Sequence, residues 1–224
     1  MQLTTRTRFG LAAGFVVLGA VASLLAAPEL PAELVTSWDG TGEPNDTLPK
    51  TTALVFVPAL SAAMIGLFAI LPRIDPLGEN VESFRRYYDW FVVVLSAYLF
   101  GVHAGIIAFN LGYEFEFILL VLAGVAALLY YTGILLGHAE RNWFVGIRTP
   151  WTLSSDEVWE RTHDLGGKLF KLSAVVTLAG LALGDAAIYV LTGAVLFTSA
   201  TTLVYSYYCY RQLDDSSDVA AGMS

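Results

Sequence analysis

The stretch LFKLSAVVTLAGLALGDAAIYVLTGAVLFTSATTLVYSYY, residues Leu169 to Tyr208, decides how this chain is built. Read as one helix it would be ~60 Å long, about twice the hydrocarbon thickness of a bilayer. That reading also puts Gly184 and the charged Asp185 at mid-bilayer, a costly place for a carboxylate. Broken at this pair, the stretch becomes two apolar segments, Leu169 to Leu183 and Ala186 to Tyr208, joined by a tight turn. A helical hairpin through a membrane is expected. Working outward, four more apolar runs appear: Phe9 to Ala27, Thr52 to Leu71, Trp90 to Phe109, and Phe115 to Gly137. Each approaches or exceeds the ~20 residues that span a bilayer. The 224 residues are 56% apolar and 14% charged, too apolar for a soluble core to explain. The expected fold class is an all-α membrane protein, a bundle of six transmembrane helices.

Orientation follows from the basic residues. With the N-terminus inside, Arg6, Arg8, Arg73, Arg85, Arg86, Arg141, Arg148, Arg161, Lys168, Lys171 and Arg211 are cytoplasmic, and Lys50 alone is outside. Both termini are then cytoplasmic. The rival reading of the first run is a secretory signal peptide ending at Ala26 and Ala27. Its apolar core is too long for that, and Pro28 suits cleavage poorly. Outside lie a long acidic loop from Pro28 to Thr51, a link carrying Glu114 and Glu116, and the Gly184, Asp185 turn. Inside lie Pro72 to Asp89, His138 to Lys168, and a tail, 211–224, acidic and small enough in its side chains to be disordered.

Several function classes are disfavoured. A net charge of −8 with no basic stripe argues against direct nucleic-acid binding. The single Cys209 cannot form an intrachain disulfide or a Cys-based zinc site. No nucleophile elbow, HExxH or phosphate loop is present, so no catalytic residues, no metal and no cofactor are expected, and the protein reads as a non-enzyme. His138 and His163, near Glu140 and Asp164, lack a third ligand fixed in place.

The segment FVGIRTPWTLSSDEVWERTHDLGGKLF, 144 to 170, is the most informative of the hydrophilic parts. Thr149 and Pro150 mark a turn, and Ser154 with Glu157 reads as a capping box, predicting a helix from near Ser155. Val158, Thr162, Leu165 and Leu169 recur at helical spacing, so this helix should lie at the cytoplasmic interface and run, with a bend at Gly166 and Gly167, into the fifth span. Trp143, Trp151 and Trp159 are expected at headgroup depth. Two readings of the segment stay open: a docking or gating element in which Arg148, His163 and Lys168 supply donors, or an amphipathic helix that only fixes depth. In the outer loop, Trp38 with Asp39, Glu43 and Asp46 makes an aromatic and acidic surface suited to a cationic amphipathic peptide. His103 lies within the third span and reads either as part of a polar path or as a neutral imidazole hydrogen-bonded between helices. Asp89 reads as an acid at a helix start. Spaced glycines, Gly10 with Gly14, Gly101 with Gly105, Gly133 with Gly137 and Gly180 with Gly184, favour close helix packing.

The string GIRTPWTLSSDEVWERTHDLGGKLF closely resembles the signature of the SdpI family through Arg148, Thr149, Pro150, Trp151, Ser154, Trp159, His163, Gly166, Gly167 and Lys168. The outer loop resembles the DUF1648 segment often found ahead of that signature, through Leu30, Pro31, Ser37, Trp38, Asp39, Gly42, Glu43, Pro44, Asn45, Asp46 and Lys50. Ser37 stands where that segment often has His, which removes any imidazole role there. The resemblance implies a DUF1648-like helical hairpin over 1–72, an SdpI-like membrane region over 73–210, and the tail. It implies a multi-pass cell-membrane protein giving immunity to, or sensing, a secreted antimicrobial peptide toxin. Its partners would be the lipid bilayer, the toxic peptide outside and a winged-helix repressor recruited inside. The alternative from another class is a small transporter or permease, motivated by His103 and the broken fifth and sixth helices.

Overall fold

A computed structural model describes residues 3–221, with side chains described through residue 213. Five helical stretches among them are long and apolar enough to cross a membrane: Thr5–Ala26, Lys50–Ile74, Arg85–Asn110, Phe117–Leu136 and Asp156–Leu213. The elements are α1 (Thr5–Ala26), β1 (Glu33–Trp38), β2 (Pro44–Pro49), α2 (Lys50–Ile74), α3 (Gly78–Ser83), α4 (Arg85–Asn110), α5 (Phe117–Leu136), α6 (Pro150–Ser154), α7 (Asp156–Gly180) and α8 (Ala187–Ala221). A short 3-10 segment, Leu181–Ala186, joins the last two.

The longest stretch is folded back on itself. Gly184 adopts φ 57°, ψ −125°, a backbone state open to glycine and strained for other residues. α8 then returns along α7, and Ser173 Oγ meets Thr198 Oγ1 at 2.8 Å across the pair. Near the turn Gly180 takes the side chain of Val190 against its bare Cα. The region 211–221, expected to be disordered, continues α8 as helix, and 222–224 lie outside the described residues.

α1, α2 and α4 pack as a three-helix group, α5 joins it through α4, α7 packs on α5, and α8 packs on α7. The α5–α7 crossing is glycine on glycine. A Cβ on Gly133 would stand 2.6 Å from Gly167 O, and one on Gly167 would stand 2.7 Å from Gly133 O. α7 is unbroken through Gly166 and Gly167, where the sequence suggested a bend; Gly167 is used for backbone approach to α5, and Gly166 takes the side chain of Ile147. Of the spaced pairs, Gly10, Gly14 and Gly101 face open space, while Gly105 packs beneath Phe117 and Leu120.

The all-α expectation needs one correction. β1 and β2 form an antiparallel hairpin, pairing Glu33 with Pro49 and Trp38 with Pro44, with irregular register around Ser37. The β2 sequence, PNDTLP, is a poor strand former, so no local signal announced it. Its pairing comes from β1 and from docking. Asn110, at the end of α4, takes Val35 N–H on Oδ1 at 2.8 Å and donates from Nδ2 to Val35 O at 2.9 Å. Leu30 and Leu34 fill the space below with Ala53, Leu54 and Ile107.

Candidate functional site

At the end opposite the β-hairpin, residues 138–149 fold back over α7 and make a cap from the segment that the sequence singled out. Asn142 sets its turn, accepting from Phe144 N and Val145 N on Oδ1 and donating from Nδ2 to Glu140 O and Val145 O. Asp75, just after α2, accepts from Trp143 N, and Asn80, in α3, donates to Arg141 O, which ties the loop to both helices. Gly146, at φ 132°, passes so close to α7 that a Cβ would collide with His163 Nε2. The next residue donates there: Ile147 N–H to His163 Nε2, 2.9 Å. An imidazole that accepts on Nε2 carries its proton on Nδ1, which donates to Trp159 O at 2.8 Å. The His163 ring stacks on Trp159, centroids 3.9 Å apart, and Trp159 donates its indole N–H to Ala139 O at 2.7 Å.

These contacts add one observation and correct one expectation. Trp159 is 2% exposed and sits in the core of the cap. The capping box is formed by Thr149 and Thr152, with Pro150 at the first helical position, so an extra turn, α6, precedes the helix. Ser155 caps α7, accepting from Val158 N, while Ser154 donates to Trp151 O. Trp151 donates to Ser206 Oγ at 2.6 Å and fastens α6 to α8.

The signature residues thus divide. Thr149, Trp159, His163, Gly166 and Gly167 are buried and hold the cap to the bundle, with Trp151 half-buried beside them. Arg148, Pro150, Ser154 and Lys168 are exposed. Arg148 donates to Trp143 O at 2.5 Å, and Lys168 pairs with Asp164 at 2.7 Å. Beside them opens a cleft of about 580 Å³ whose rim carries Glu140, Asp156, Glu160 and Asp164. Arg141 pairs with Asp156 at 2.5 Å. The cleft is net acidic and suits a cationic partner surface.

One group was missed by sequence reasoning. Asp89 is fully buried between two arginines, Arg85 at 2.8 Å and Arg8 at 3.3 Å, and Arg8 is itself 5% exposed. The acid read as a helix start is the pin that holds α1 to α4. Arg8 and Asp89 lie 81 residues apart, so no short-range pattern links them.

At the other end, Trp38 stacks on Phe117 with centroids 3.8 Å apart and meets Phe109 edge-on at 5.2 Å. It anchors the hairpin and is not presented as a free contact surface. Asp39 accepts from Thr41 Oγ1, Thr41 N and Glu43 N, and these hydrogen bonds hold its carboxyl below the usual range. Asp46 closes on Thr47 N. Asp39, Glu43 and Asp46 remain exposed, as do Glu29 and Glu33. Ser37, on β1, pairs with Asp46 across the hairpin.

His103 bridges helices. Ser23 Oγ lies 2.7 Å from its Nε2 and donates to Leu54 O at 3.0 Å, so the hydroxyl accepts from the imidazole N–H. The adjacent cavity, about 10 Å³, has room for about one water molecule. Among the described residues no cluster of three His, Cys, Asp or Glu is arranged to hold a metal ion.

The SdpI/YfhL protein family matches residues 138–206, the cap with α7 and most of α8. A domain of unknown function, DUF1648, matches residues 14–62, from α1 through the hairpin into α2. The chain is 23% identical over 202 residues to "Immunity protein SdpI" of Bacillus subtilis (strain 168), covering 90% of this chain and 95% of that one. No solved structure matches. The chain is thus a multi-pass cell-membrane protein that is similar to the SdpI/YfhL family over its cap, α7 and α8, with a DUF1648-like segment ahead of that region.

Proposed function

We propose that this chain is a non-enzymatic membrane protein of the toxin-immunity type, protecting its cell from a secreted cationic antimicrobial peptide. The observation that carries the reading is the similarity to an immunity protein along nearly the whole of both chains. The chain crosses the membrane six times, α7 and α8 being separate crossings, since the reversal at Gly184 would otherwise bury Asp185 at mid-bilayer. Arg8, Arg85 and Arg141 lie at the cap end, and Lys50 lies at the hairpin end. The positive-inside rule then makes the cap and both termini cytoplasmic and the hairpin external. In this orientation the acidic hairpin is what an incoming cationic peptide meets first. The acidic cleft faces the cytoplasm, where a winged-helix repressor, basic on its DNA-binding face, would find Glu140 and Glu160, and Arg148 is exposed on the same cytoplasmic cap. The transporter alternative has less support, because His103 is engaged by Ser23 beside a cavity of about one water's size.

The test is expression in a peptide-sensitive host followed by challenge. The wild-type chain should protect, Trp38→Ala should protect less, and Arg148→Ala should protect while losing co-purification of the regulator. No protection against candidate peptides from its own genome or from others removes the immunity reading.

A further inference from the structure

Resting on that reading of the hairpin end as external, we infer that an apolar groove between α1 and α2 seats the apolar face of the peptide, whose basic residues meet Glu29 and Glu33 at its mouth. The groove holds about 560 Å³. It runs along α1 from Val16 to Ala27, a length of ~16 Å or about three helical turns. Its width comes from small residues on both walls: Ala20 and Ala27 on one side, Ala59 and Ala62 on the other. Pro58 lies in its floor with Ser23, the hydroxyl that links α1 to His103 and to Leu54 O.

The charge at the mouth selects the occupant. Lys50 lines the groove, but its ammonium is turned inward and donates to Ala27 O at 3.0 Å and Leu30 O at 2.9 Å, closing the end of α1. Glu29 and Glu33 stand outside the lining itself: Glu29 lies two residues beyond the lining Ala27, and Glu33 pairs with Pro49 next to the lining Lys50 and accepts from Thr47 Oγ1 at 3.1 Å; both are exposed. An anionic lipid headgroup therefore meets carboxylates at the entrance, whereas a cationic amphipathic helix finds apolar width below and negative charge above. Helix-in-groove recognition of this kind uses apolar side chains every three to four residues, and the groove is long enough for three such anchors.

The test uses the full chain in phosphatidylcholine nanodiscs. The probes are a synthetic Leu/Lys amphipathic helical peptide carrying a diazirine on its apolar face and a Leu/Glu peptide of the same pattern. Crosslinks of the Leu/Lys peptide should map to 16–27 and 50–62. They should fall about tenfold in the double variant Glu29→Lys with Glu33→Lys, a surface change that leaves the helix packing alone. Ala59→Trp, which fills the groove, should lower them similarly while keeping the wild-type melting profile. Equal crosslinking to the lipid-facing side of α8 at Leu203 and Val204 overturns the proposal. So does equal capture of the Leu/Glu peptide, or a retained phospholipid or second copy of the chain that the Leu/Lys peptide does not displace. Groove crosslinks without protection of a host would refute the immunity reading and leave the groove standing. Protection that persists in the charge-reversed variant would refute the groove and leave immunity standing.

Discussion

His163 shows how one side chain can hold a whole segment. It is 2% exposed, and both ring nitrogens are committed, one to the backbone of the cap loop and one to its own helix. Replacing it with Ala leaves Ile147 N–H without its acceptor and opens a void beside Trp159. His163→Ala should therefore cost about 3 kcal/mol, measured by thermal or denaturant unfolding in detergent. At the buried pin, Asp89→Asn leaves Arg8 and Arg85 facing each other without the carboxylate, and a loss of about 3 to 5 kcal/mol is expected by the same measurement. The residue scale was unevenly legible. His103 was open to the reading the structure supports, an imidazole between helices, because a lone polar group in a span needs a partner. The burial of Trp159 was not legible because it flanks the stripe of Val158, Thr162, Leu165 and Leu169, and nothing local shows that residues 138–149 return to cover it. Asp89 misled because its partner Arg8 is on a different helix.

At the scale of elements, the long helices were legible because apolar length alone specifies them, and the Gly184, Asp185 pair marked where the last run reverses. The β-hairpin was not, since its second strand carries two prolines and only one large apolar residue. Its stability is borrowed from α4 and α5. Trp38→Ala removes the stack on Phe117, and hydrogen exchange at 33–38 and 44–49 should accelerate markedly while α4 and α7 stay protected; unchanged hairpin exchange would show that Asn110 alone secures it. The α5–α7 crossing offers a second check. Gly167→Leu cannot be housed against Gly133 O without separating the helices, so the melting temperature should fall by several degrees, with Leu placed at the open Gly101 having a much smaller effect.

For the whole molecule, the basic residues at one end and the acidic hairpin at the other make a polarity that the sequence already carried, and the structure adds how each end is built. Impermeant maleimide on intact cells should label Asp46→Cys and Asp185→Cys, and should label Lys168→Cys only after permeabilisation, with little background from the buried native Cys209. Labelling of position 168 on intact cells would invert the orientation and move the acidic hairpin away from any external peptide. The most direct measurement is the peptide concentration that halves growth of a sensitive host, with and without the full chain. Immunity requires that concentration to rise severalfold on expression and to drop back with Trp38→Ala at equal membrane abundance. Identical values with and without the chain, for every cationic secreted peptide tried, would contradict it.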